Sequence, residues 1–66
     1  MTAMVNGERR VLPSGATVAE LLQNLKLEGP GIAVAVNERV VRTSYFDEHR
    51  LEEGDVVEII RAVAGG

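Results

Sequence analysis

Apolar residues change their spacing several times along the chain, and each change marks an element. Val18, Leu21, Leu22 and Leu25 recur at i, i+3, i+4 and i+7, one stripe of a helix of about two to three turns. Thr17-Val18-Ala19-Glu20 opens it as a capping box, with Thr17 as N-cap and Glu20 reaching back to its amide. Gly29-Pro30-Gly31 marks its end. Upstream, Asn6-Gly7 predicts a type I′ hairpin turn, because both central residues of that turn need φ > 0. The turn joins Thr2–Val5 to Glu8–Leu12, and Pro13-Ser14-Gly15 breaks the pairing. Downstream, Ile32–Val36 is apolar throughout, as in a strand covered on at least one face. Asn37-Glu38 turns the chain and Arg39-Val40-Val41 returns. Thr43–Phe46 reads as a short turn or 3₁₀ segment, with Leu51 as a lone anchor into the core. Glu52-Glu53-Gly54-Asp55 is another turn, and Val56–Arg61 is the last strand.

A chain this short can bury a single helical stripe only against a sheet. The order hairpin, helix, strand pair, last strand then places the first and last strands side by side and parallel at the sheet centre. The helix is the crossover across one face. That is an α+β architecture, the ubiquitin-like β-grasp, with residues 1–61 as the globular domain and 62–66 as a flexible C-terminal tail. Alternation along the strands puts Val57 and Ile59 on the helix-facing side with Ala3, Val5 and Leu12. It leaves Met4, Val56 and Ile60 on the other side, where they form a candidate partner-docking patch near the root of the tail.

Composition narrows the chemistry. The 66 residues carry ten acidic and seven basic side chains, a net charge of −3, and the basic ones are scattered. Nucleic acid needs a concentrated cationic footprint, so it is not an expected partner. Tyr45 and Phe46 are adjacent and offer no stacking platform for bases. The longest apolar run, Ile32 to Val36, is far short of a membrane span, and no signal-peptide pattern opens the chain. A soluble cytoplasmic protein is the expectation.

With no cysteine there is neither a disulfide nor a thiol nucleophile. His49 has no second histidine for a metal pair, and in Asp47-Glu48-His49-Arg50 it reads as a solvated surface residue. Ser14 and Ser44 lie in turn-like segments, and Glu52, Glu53 and Asp55 flank a glycine turn. No nucleophile, base and orienter recur together, and so small a core leaves little room for a concave site. No catalytic residue, metal or cofactor is expected.

The chemistry points instead to the tail, Ala62-Val63-Ala64-Gly65-Gly66. Glycine loses the most entropy on ordering and adds nothing to a core, so a diglycine after the last strand contributes no stability. It does provide a thin strand that a partner can thread through a narrow channel to reach the Gly66 carboxylate. Five extended residues span about 17 Å.

These features resemble the ThiS family of small sulfur carriers in thiamine biosynthesis. The likeness runs through V-N-G at Val5-Asn6-Gly7, T-V-A-E-L-L from Thr17 to Leu22 and A-V-N at Ala35-Val36-Asn37. It is most specific in E-G-D-V-V-E-I-I-R-A-V-A-G-G from Glu53 to Gly66. MoaD, the small subunit of molybdopterin synthase, shares the fold and the diglycine but is usually longer, with a larger first loop. Ubiquitin-like modifiers are longer still. The resemblance implies a carrier, not an enzyme. A ThiF-like partner would adenylate Gly66, sulfur from a cysteine-derived persulfide would replace AMP, and the resulting thiocarboxylate would donate sulfur to the thiazole synthase ThiG. In that scheme Gly65 keeps the approach free of side chains, and Ala62, Val63 and Ala64 form the arm. A MoaD-like or other sulfur carrier, or a ubiquitin-like interaction module or modifier, is the alternative.

Overall fold

In a computed structural model, which describes residues 1–27 and 29–61, the Asn6-Gly7 pair closes the first hairpin. Asn6 and Gly7 have φ of 50° and 82°, the left-handed values a type I′ turn demands. Strand β1 (Thr2–Val5) thereby pairs antiparallel with β2 (Glu8–Val11). Helix α1 (Val18–Asn24) follows, then β3 (Ile32–Val36), β4 (Arg39–Val41), a 3₁₀ turn (Thr43–Tyr45) and β5 (Val56–Arg61). The sheet order is β2-β1-β5-β3-β4. β5 is parallel to β1, in the register Met4↔Val56 and Val5↔Val57, and antiparallel to β3 from Ile32↔Arg61 to Val36↔Val57. The mixed sheet with one covered face is the β-grasp arrangement expected from the sequence. The expectation for residues 62–66 falls outside the described residues.

Alternation in β5 decides what the core contains. Val57 and Ile59 face α1 and are buried with Ala3, Val5, Leu12, Val34, Val36 and Val41. From the helix side Val18, Leu21 and Leu22 complete the same cluster. Leu51 is buried as expected but is not a lone anchor. Phe46, at 9% exposure, packs into the same core beside it. The 3₁₀ turn explains this difference, because it rotates Phe46 inward while leaving Tyr45 exposed.

The start of α1 leaves no orphan donor. Val18 N–H donates to the His49 carbonyl and Ala19 N–H to the Phe46 carbonyl, both at 2.9 Å. Glu20 N–H donates to Thr17 Oγ1 at 3.2 Å, while Thr17 N–H donates to Glu20 Oε1 at 2.9 Å. This is the predicted capping box, and it ties the helix to the 46–49 loop as well as to itself. The Thr17 backbone and hydroxyl bonds hold the Glu20 carboxyl below its ordinary pKa, against a small opposing effect of burial and with help from the Arg50 charge.

The end of α1 comes earlier than Gly29-Pro30-Gly31 predicts. Lys26 takes φ 60° just after the C-cap Leu25. Lys26 N–H donates to the Gln23 carbonyl at 3.0 Å and Leu27 N–H to the Leu22 carbonyl at 2.8 Å. That pair of bonds is the Schellman arrangement, built here on a lysine where glycine is usual. Leu25 is consequently half-buried, whereas Leu21 and Leu22 are buried.

Candidate functional site

The candidate partner surface is the sheet face opposite α1. Met4, Val56 and Ile60, at 36%, 46% and 63% exposure, all lie on it. Met4 and Val56 are register neighbours across the β1–β5 pair. Ile60 stands apart from them. It lies four residues along β5, about 13 Å away at strand spacing, with exposed Glu58 between it and Val56 on the same face. The apolar surface instead reaches Ile60 around Glu58, because Ala33 pairs with Ile60, Ala35 with Glu58 and Val40 with Ala35. Ala33 and Val40 are exposed and Ala35 half-buried. Sequence reasoning missed these three. The uninterrupted apolar run of Ile32–Val36 hides the alternation, and only the registers with β4 and β5 show which of its residues face outward.

Charge frames this face lightly. Arg9 pairs with Met4 in the β1–β2 ladder and lies beside it, and Glu58 interrupts the centre. At the end of β5, Ile60 and Arg61 are the last described residues before the tail. The position of Ile60 therefore places an exposed apolar side chain at the root of the segment Ala62, Val63, Ala64, Gly65 and Gly66, whose own placement lies outside the described residues.

The helix side offers less. One surface groove of about 330 Å³ is lined by Leu22, Leu27, Pro30, Ile32 and Phe46, among others. A second, of about 380 Å³, is lined by Leu12, Pro13, Ala16 and Leu21, among others. Both are larger than the short core suggests, yet they sit at the small end of ligand sites. Neither is lined by Ser14, Ser44 or His49; the polar lining is Gln23, Thr43 and Asp47 in the first, and Glu20, Gln23 and Asn24 in the second. His49 is half-buried, less open than a fully solvated residue, because its backbone carbonyl is held against the start of α1. Among the described residues, no three His, Cys, Asp or Glu side chains come together as a metal site. Nor is any described helix long and apolar enough to cross a membrane.

Two asparagines at the hairpin turns act on β5 in a way no local pattern announces. Asn6 Oδ1 accepts from Ile59 N–H at 2.8 Å, and Asn6 Nδ2 donates to the Ile59 carbonyl at 3.3 Å. Asn37 Oδ1 accepts from Val56 N–H at 2.9 Å, while Asn37 N–H donates to the Val56 carbonyl at 2.7 Å. The strand that leads into the tail is thus held near both of its ends by carboxamides from the turns of β1 and β3.

Comparison with known proteins agrees with this architecture. The family model described as "ThiS family" matches residues 3–66. The Sulfur carrier protein ThiS of Escherichia coli is 30% identical over 66 residues, covering all of both chains. That of Thermus thermophilus is 37% identical over 62 residues, covering 94% of this chain and 95% of the relative. A Thiazole synthase of Paramagnetospirillum magneticum is 32% identical over 66 residues, covering all of this chain but 20% of its own length. The crystal structure of the thiamine biosynthesis protein ThiS from Geobacter metallireducens superposes with a TM-score of 0.84 at 30% identity, with both chains fully covered.

Proposed function

The chain belongs to the ThiS family, and from that premise we propose that it is a sulfur carrier supplying the thiazole moiety of thiamine, with Gly66 as its reacting residue. The observation that carries this reading is the end-to-end match to proteins named sulfur carrier protein ThiS, extending through Gly66. The match to one fifth of a thiazole synthase supports the receiving partner, since two activities joined in one chain in one organism commonly meet as separate chains in another.

A carboxylate resists nucleophiles because its charge and resonance deactivate the carbonyl carbon. Activation by a ThiF-like enzyme removes that obstacle. The Gly66 carboxylate attacks the α-phosphorus of ATP, pyrophosphate leaves, and an acyl-adenylate forms. The terminal sulfur of a cysteine-derived persulfide then displaces AMP at the acyl carbon. Cleavage of the remaining S–S bond by a thiol leaves the thiocarboxylate and a disulfide. The tail next presents this sulfur to a ThiG-like thiazole synthase.

In this scheme the chain contributes geometry, and catalysis belongs to its partners. Gly65 and Gly66 place no Cβ in the channel, and Ala62, Val63 and Ala64 give the reach. Met4, Val56 and Ile60, joined through Ala33, Ala35 and Val40, give the partner a surface to hold while the tail is threaded. The cytoplasm, where ATP and thiols are abundant, is the compartment this chemistry needs.

The test is the mass of the C-terminal peptide after incubation with the adenylating enzyme, ATP and a persulfide source. Replacing one carboxyl oxygen by sulfur adds about 16 Da, the same nominal shift as oxidation of Met1 or Met4, so the gain must map to the peptide ending in Gly66. A gain confined to the methionine peptide contradicts the reading.

A further inference from the structure

On its β3 side, β5 is paired by backbone as far as Arg61, through Ile32↔Arg61. On its β1 side the strand ladder stops at Val5↔Val57, where β1 turns away at Asn6. Asn6 N–H still donates to the Val57 carbonyl at 2.9 Å. Beyond that point the Asn6 carboxamide takes over. It accepts from Ile59 N–H and donates to the Ile59 carbonyl, two backbone groups that a continuing parallel neighbour would have bonded from two alternate residues. The turn geometry enables this, because φ of 50° at Asn6 is a conformation that asparagine tolerates better than most residues.

Resting on the carrier reading above, we propose that Asn6 is a positioning residue that sets the direction in which β5 delivers the tail to the adenylating partner. Its carboxamide bonds to the backbone of Ile59, within β5. It acts by holding the exit half of β5 flat against the sheet, so that Ile60 and Arg61, which lead into residues 62–66, keep one orientation relative to the docking face. Asn37 provides an internal comparison. Its carboxamide also pairs with β5, but at Val56, the end away from the tail. A purely structural role predicts similar consequences for losing either clamp, whereas a positioning role predicts an effect on tail delivery only for Asn6.

The experiment compares Asn6→Gly, Asn6→Asp and Asn37→Gly with the parent protein. Glycine keeps the left-handed turn and removes only the side chain. Aspartate keeps the acceptor for Ile59 N–H but sets an oxygen against the Ile59 carbonyl. Amide exchange by NMR reads the clamp itself. In Asn6→Gly the Ile59 amide should exchange roughly tenfold faster while Val34 stays protected, which also reports that the fold persists. Pyrophosphate exchange with the cognate adenylating enzyme reads delivery. For Asn6→Gly, kcat should fall about tenfold with KM for the carrier within about twofold, because docking is intact and the reacting end is less often in place. Asn6→Asp should fall between that variant and the parent, and Asn37→Gly should keep the parent kcat. A parent-like kcat for Asn6→Gly despite faster Ile59 exchange overturns the proposal, as does an equal loss in Asn37→Gly. Absence of exchange by the parent itself would instead remove the carrier reading, and this proposal with it.

Discussion

Ile60→Asp probes the proposed docking face, one residue before the end of β5. Ile60 is 63% exposed, so an interface that covers it buries roughly that share of the side chain. Complete burial of an isoleucine is worth about 1.5–3 kcal/mol. The covered share is therefore worth about 1–2 kcal/mol, about 5- to 30-fold in Kd. An unpaired carboxylate against an apolar partner surface adds a desolvation cost, so the loss should reach the upper end of that range or beyond. The fold should survive. Ile60 points away from α1, and the change should cost no more than about 1 kcal/mol of strand preference. Titration calorimetry with the adenylating enzyme and with the thiazole synthase measures the affinity, and thermal melting checks the fold. Val11→Asp is the matched control. It places the same charge on the same face, since Val11 pairs with Thr2 in the β1–β2 register, but about 20 Å further from the tail along the strand direction. Its Kd should stay within about twofold of the parent. Unchanged affinity of Ile60→Asp for both partners, or an equal loss in Val11→Asp, would refute the assignment of this face.

Three further outcomes test the fold that presents the face. Leu22→Ala should cost about 2–5 kcal/mol in denaturant unfolding, and Leu25→Ala clearly less, because Leu22 is buried and Leu25 half-buried; equal costs would mean that α1 does not end as described. Glu38→Gly should raise stability by about 0.5–1 kcal/mol, because Glu38 holds φ of 69° in a turn position that favours glycine, and a lower Tm would contradict this. Glu20→Gln tests the capping box through pH. The folded pKa of Glu20 is lowered, so its ionic contribution is complete above the ordinary glutamate value and is lost as pH falls through the lower folded one. The Tm difference between parent and variant should accordingly shrink as pH drops from neutral to about 3, whereas a constant difference would show that the charge contributes nothing.

Much of this architecture could be read from short-range pattern. The N-G turn, the capping box and the alternation in Val56–Arg61 are local signals, and each element they predict is present within a residue or two. What escaped the reading depends on contacts distant in sequence or on strained backbone. The Asn6–Ile59 bonds join residues 53 apart, and nothing beside Asn6 in the chain announces them beyond its role in the turn. Lys26 ends α1 in a left-handed conformation that favours glycine, so attention falls on Gly29 to Gly31 instead. Phe46 sits in a polar segment with no periodic neighbours, and only the 3₁₀ turn directs it into the core. Within the candidate site, strand alternation identified Met4, Val56 and Ile60 as outward-facing. Their separation by Glu58, and the detour through Ala33, Ala35 and Val40, required the sheet register.

Deleting Gly66 tests the central claim most directly. The chemistry proposed for this chain takes place at one carboxylate, and the last strand of the described sheet ends at Arg61. The truncated protein should melt within about 1 °C of the parent, since a terminal glycine brings no side chain to the core. With the cognate adenylating enzyme it should give no ATP–pyrophosphate exchange above background, because the shortened tail ends one residue, about 3.5 Å, short of the reacting phosphorus. Exchange at the parent rate, followed by normal thiocarboxylate formation on Gly65, would contradict the assignment of Gly66 as the reacting residue.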